Sequence, residues 1–145
     1  MFRHLIRTSP AIFFVVTALL GCRADTSGLD TLDLPQLEAL LAADESVVLC
    51  DANTEETREK YGVIPGAILL STYRDYDVAR ELPSDPGRKL VFYCHSPMCG
   101  AGADAARVAI AAGFIDVAIY PGGIKGWLDG DQAVEQLETA RGGKS

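Results

Sequence analysis

The chain of 145 residues carries 13 basic and 20 acidic side chains, a net charge of −7, and 48% of its residues are hydrophobic. A surplus of acids excludes nucleic acid and anionic lipid headgroups as favoured partners. Once an N-terminal leader is set aside, about 120 residues remain, enough for one domain with one core and too few for two.

In chain order, Arg3 and Arg7 give the start a positive flank, and Ala11 to Leu20 form a short apolar core. This is the pattern of an export leader. Its apolar run is too short for the roughly 20 residues of a membrane-spanning helix. It ends in Leu19-Leu20-Gly21-Cys22, which resembles the bacterial lipobox. That resemblance implies cleavage before Cys22 and a diacylglycerol on its sulfur; an ordinary secretory leader with a chance cysteine is the alternative. Loss of residues 1–21 removes Arg3 and Arg7 and no acid, taking the net charge from −7 to −9. Membrane attachment then rests on acyl chains, of which stable anchoring needs several. The expected location is the periplasmic side of the cell envelope. Arg23, where an aspartate favours inner-membrane retention, points to the outer membrane. Residues 22–31 are expected to be the lipidated cysteine and a small polar tether, and residues 32–141 the folded domain.

From Leu32 the apolar spacing turns helical, with Leu34, Leu37, Leu40 and Leu41 on one face, Asp33 placed to cap and Pro35 tolerated in the first turn. A helix over 34–43 follows. Ser46 to Cys50 is a short, continuous β-rich run, as in a strand buried on both faces of a parallel sheet. Residues 54–61 read as a short polar helix stopped by Gly62, and Ile64 to Leu69 turn the chain into another strand. A surface stretch over 71–88 is expected to hold a short helix near 74–81 and a turn at Pro83 to Gly87. Lys89 to Tyr93 gives a third strand. A helix over 101–112 presents Ala105, Val108, Ala109 and Ala112 on one face and ends at Gly113. Val117 to Tyr120 is a fourth strand, and Trp127 precedes an expected last amphipathic helix carrying Val134 and Leu137. Strands alternating with helices imply an α/β domain with a mostly parallel central sheet flanked by helices.

Ligands of α/β sheets bind beyond the carboxyl ends of the strands, and Cys94 stands where the third of these strands runs into a loop. The loop Cys94-His95-Ser96-Pro97-Met98-Cys99-Gly100 is tight. Curled around the Cys94 sulfur, its amides and the start of the next helix would form an anion-binding nest that lowers a thiol pKa. Pro97 and Met98 would line an apolar mouth suited to a thiol-bearing or protein substrate.

From Val91 to Trp127 the chain resembles the active-site half of rhodanese-like domains: strand, cysteine, six-residue loop, helix, Gly113-Phe114, Val117, strand, then Gly122-Gly123 and Trp127. Upstream, Asp51 at a strand end and the turn from Gly62 to Ala67 also match the family, so the resemblance covers residues 32–137. It implies a sulfurtransferase without metal or cofactor. Cys94 takes a sulfane sulfur from a small donor such as thiosulfate, becomes a persulfide, and passes the outer sulfur to a thiol, protein or cyanide-like acceptor. The related phosphatases need one more loop residue and a terminal arginine, so phosphatase activity is not expected.

Two departures from the family stand out. Cys99 occupies the sixth loop position, where many active relatives place an arginine, and the loss of a guanidinium weakens binding of the thiosulfate dianion. Asn53 replaces an arginine, and Val63 a histidine, that often accompany Asp51 and Pro65. Cys99 has three readings: a resolving thiol that closes a Cys94–Cys99 disulfide, a small half-buried side chain at a helix start, or half of a metal site with His95 that lacks a clear fourth ligand. With Cys22 taken by lipid and Cys50 inert in a buried strand, only Cys94 and Cys99 are left to pair. His95, adjacent to Cys94 at a strand end, is expected to point away from it and not to serve as its base. Asp51 reads as a structural hydrogen-bonding group, and Trp127 as core. The alternatives to a sulfurtransferase are a thiol–disulfide redox protein using Cys94 and Cys99, and a non-catalytic binding module.

Overall fold

The computed structural model describes residues 23–44 and 46–137; the leader, Cys22 and the last residues of the expected domain, 138–141, lie outside the described residues. Five strands form one parallel sheet: β1 (Asp30–Thr31), β2 (Val48–Asp51), β3 (Ile68–Leu69), β4 (Leu90–Tyr93) and β5 (Val117–Tyr120), in the order β1-β5-β4-β2-β3. Parallel neighbours need crossovers, and helices supply them: α1 (Leu34–Ala43), α2 (Glu55–Tyr61), α3 (Val78–Glu81), α4 (Ala101–Ala111) and α5 (Gly123–Asp129). The fold is the α/β architecture expected from the alternation of elements.

Local chemistry starts the helices. Asp33 and Gln36 form a reciprocal capping box on α1, with Pro35 in the first turn. Thr54 caps α2 through the Thr57 amide, and Gly62 at φ 77° ends it. The central strands β4 and β5 are buried along their whole length. Their side chains alternate between two cores, as a two-residue period requires. Leu90, Phe92, Val117 and Ile119 pack with α4 and the residues around α3, while Val91, Tyr93, Ala118 and Tyr120 pack with α1 and α5.

Three elements differ from expectation. Asp30–Thr31, placed in the tether by its small polar composition, pairs with Ala118 and Ile119 as the edge strand β1. The helix near 74–81 shrinks to Val78–Glu81, because Glu81 and Thr72 side chains accept from the Ser71, Asp77 and Asp75 amides and satisfy the backbone as a loop. No helix carries Val134 and Leu137 among the described residues. Trp127 instead lies inside α5, which stops at Gly130 and Asp131, the latter at φ 58°. The chain then runs back extended: Trp127 Nε1 donates to the Ala133 carbonyl at 2.8 Å, and Val63 and Glu135 exchange both backbone hydrogen bonds. No described helix is long and apolar enough to cross a membrane.

Candidate active site

The strand alternation that fills both cores also fixes Cys94. One residue beyond β4, it falls on the α4 side with Phe92 and is 5% exposed. Its carbonyl accepts from the Ile124 amide at 2.8 Å, and that of His95 from Lys125 at 3.0 Å, so the first turn of α5 clamps the strand end. Two glycines make this approach feasible. A Cβ on Gly102 in α4 would sit 3.2 Å from the Tyr93 carbonyl carbon, and one on Gly123, at φ 64°, would be 2.6 Å from the Cys94 oxygen. A side chain at position 123 would collide with backbone, which cannot give way.

The loop that follows closes on itself. The Cys99 amide donates to the Ser96 carbonyl at 2.9 Å, and Gly100 precedes the first residue of α4. Cys94 and Cys99 are joined by a disulfide with Cα atoms 6.3 Å apart, within the usual span for such bonds. The Cys99 carbonyl oxygen lies 3.0 Å from Cys94 Sγ. Of the loop's amides, that of Cys99 is spent within the loop and Pro97 has none, while those of Ser96, Met98 and Gly100 donate to no acceptor among the described residues. Pro97 and Met98 form the exposed rim, Met98 at 73%. His95 leaves toward the opposite face, its ring 4.9 Å from that of Tyr61, with a buried Nε2 that has no partner. Among the described residues no group of three or more His, Cys, Asp or Glu side chains gathers as a metal site.

Beside Cys94, one strand over, β2 ends in Asp51, which is fully buried. A buried carboxylate needs partners. Arg58 Nε donates to Asp51 Oδ1 at 3.1 Å, and its Nη2 donates to the Asp51 and Leu70 carbonyls at 3.0 and 2.9 Å. The Asn53 backbone and side-chain amides donate to the same carboxylate at 2.7 and 3.3 Å. Arg58 thus supplies the guanidinium missing from position 53. A polar helix pattern hides such a residue; the signal for it is that Arg58 shares the face of Tyr61, three residues on, beside an acid that cannot stay unpaired. Burial, reinforced by the charge of Asp51, raises the Tyr93 hydroxyl well above its ordinary range, and that hydroxyl accepts from the Ile64 amide at 3.0 Å. The one other described cysteine, Cys50, is free and buried, its thiol pushed up to about 12 by burial and then by Asp51.

Residues 24–28 lie against this site. The Ala24 amide donates to the Pro97 carbonyl at 2.9 Å, and Arg107 on α4 donates to the Asp25 and Ser27 carbonyls at 3.2 and 3.4 Å. Ala24 and Thr26 help enclose a cavity of about 10 Å³ with Cys94, Cys99, Pro97 and Gly102, room for no more than one water. Sequence reasoning missed this strap because small polar residues carry no periodic signal.

A search of curated protein sequences returned no match. Solved structures do match. The human single-domain sulfurtransferase is 27% identical with a TM-score of 0.55, over 70% of this chain and 97% of that one. A thiosulfate sulfurtransferase from Pseudomonas aeruginosa is 25% identical with a TM-score of 0.60, over 81% of this chain but 22% of the larger protein. The polysulfide-sulfur transferase of Wolinella succinogenes, 16% identical with a TM-score of 0.60, shares the fold. The model of the rhodanese-like domain matches residues 33–129, from the cap of α1 to the end of α5. With two-thirds of its length matched, including strands β2 to β5, the Cys94 loop, α4 and α5, the chain belongs to the rhodanese-like domain family.

Proposed function

We propose that the chain is a sulfurtransferase working through a persulfide on Cys94. The observation that carries this reading is the placement of Cys94 at the carboxyl end of the central strand, clamped by α5 and followed by a short loop into α4, in a family with sulfurtransferase relatives. With the loop reduced, the Cys94 thiolate attacks the outer sulfur of a donor such as thiosulfate. The donor S–S bond breaks, sulfite leaves with the electron pair, and Cys94 holds the sulfur as a persulfide. A thiol or cyanide-like acceptor then takes the outer sulfur and returns the thiolate. Reduced full chain exposed to a sulfane-sulfur donor is expected to carry an added sulfur, about 32 Da, at least transiently, and Cys94→Ser is expected to carry none. A mass gain that survives Cys94→Ser removes Cys94 from the reaction.

The Cys94–Cys99 bridge favours a second reading, a thiol–disulfide exchange protein that uses the same pair without sulfur transfer. It expects exchange with dithiols and no sulfur uptake by either wild type or Cys99→Ser. For location, the reading is a lipoprotein held at the periplasmic face of the envelope through Cys22. Metabolic labelling with a palmitate analogue is expected to mark the full chain and to be lost in Cys22→Ala; unlabelled protein released into the periplasm would mean an ordinary leader.

A further inference from the structure

We propose that Cys99 resolves the Cys94 persulfide, so that the chain releases sulfane sulfur as hydrogen sulfide and finishes each turnover as the Cys94–Cys99 disulfide. The inference rests on the sulfurtransferase reading and names its acceptor: a thiol within the loop, followed by an external dithiol reductant.

A persulfide has two sulfurs open to attack. An external acceptor takes the outer one. A thiol that reaches the inner one, Cys94 Sγ, instead forms a disulfide with it and expels the outer sulfur. The bridge places Cys99 Sγ on that inner sulfur, across a loop whose ends are 6.3 Å apart at Cα. Attack there breaks the bond between Cys94 Sγ and the outer sulfur, which leaves with the electron pair as hydrosulfide. Hydrosulfide is a weaker base than a cysteine thiolate and departs more readily. The balance is Cys94–S–SH plus Cys99–SH giving Cys94–S–S–Cys99 plus H₂S. The sulfane sulfur is the oxidant, the thiol pair is oxidised, and no other oxidant enters. A dithiol of the surroundings then reduces the bridge, forms its own disulfide and returns both thiols.

Two observations favour this course over transfer to an outside acceptor. Cys99 is tethered in place, so its attack is intramolecular and has a large advantage in effective concentration. No other described thiol competes: Cys50 is fully buried and its thiol is pushed up to about 12.

The test is a single turnover. The full chain in detergent is reduced, freed of reductant without air, and mixed with excess thiosulfate while sulfide and intact mass are followed. Wild type is expected to release about one sulfide per chain and stop, with a mass about 2 Da below the reduced chain. Cys99→Ser and Cys99→Ala are expected to release none and to hold a stable gain of about 32 Da. A dithiol added to the spent wild type is expected to restart sulfide release. If wild type keeps the added sulfur and frees no sulfide while the Cys99 variants behave alike, the resolving role is overturned and the sulfurtransferase reading stands. If neither wild type nor the Cys99 variants take up sulfur or release sulfide, both fall.

Discussion

At position 99 two chemistries exclude each other. A guanidinium there would pair with an anionic donor, whereas a thiol within bridging distance of Cys94 consumes the persulfide. Cys99→Arg is therefore expected to raise thiosulfate:cyanide activity and to abolish the bridged form. One charge-assisted contact at a half-exposed loop contributes about 1–2 kcal/mol, which gives a gain of about 5- to 30-fold. The gain should appear chiefly in KM, because the guanidinium pairs with the bound dianion as well as with the transition state. Steady-state kinetics of wild type and variant check this; an unchanged KM means the position does not face the donor. The sequence made Cys94 and Cys99 legible because chain order alone puts one at a strand end and the other at the next helix start. Arg58 was not legible, since burial of a single cation in a polar helix depends on Asp51, seven residues away in sequence and in a different element.

Elements that follow periodic patterns, from α1 to β5, were readable to within a few residues, because apolar spacing and caps are local causes. The N-terminal strap and the tail after α5 were not, because their backbone partners are remote: Ala24 on Pro97, Asp30 beside Ala118, Glu135 on Val63. The strap has a consequence for access. Arg107 holds it by hydrogen bonds to the Asp25 and Ser27 carbonyls and by an ion pair with Asp25, whose side chain is 76% exposed, so that solvent screens the pair. Removing that hold raises the population of the open strap. In reduced protein, Arg107→Ala is expected to speed alkylation of Cys94 by about 2- to 10-fold, followed by mass spectrometry of the labelled thiol. Equal rates in wild type and variant would show that the strap does not limit entry.

In the whole molecule the bridge ties the end of the central strand to the start of α4, and that strand is hydrogen-bonded to both neighbours while α5 clamps its last carbonyls. The redox state of two sulfurs should therefore register in the stability of the entire domain. Closing so short a loop, with a sequence separation of 5, removes conformational entropy from the unfolded chain worth about 2 kcal/mol. For a domain of this size that corresponds to about 5–10 °C in Tm. Oxidised wild type is expected to melt higher than reduced wild type by that amount, while Cys99→Ser melts with the reduced form under both conditions. Calorimetry of the three samples checks it. Coincident melting of oxidised and reduced wild type would mean that the loop gains as much order from its contacts with α4, α5 and the strap as the bridge confers. A lower Tm for the oxidised form would mean that closing the bridge strains those contacts, and the dithiol would then be the resting state of the fold.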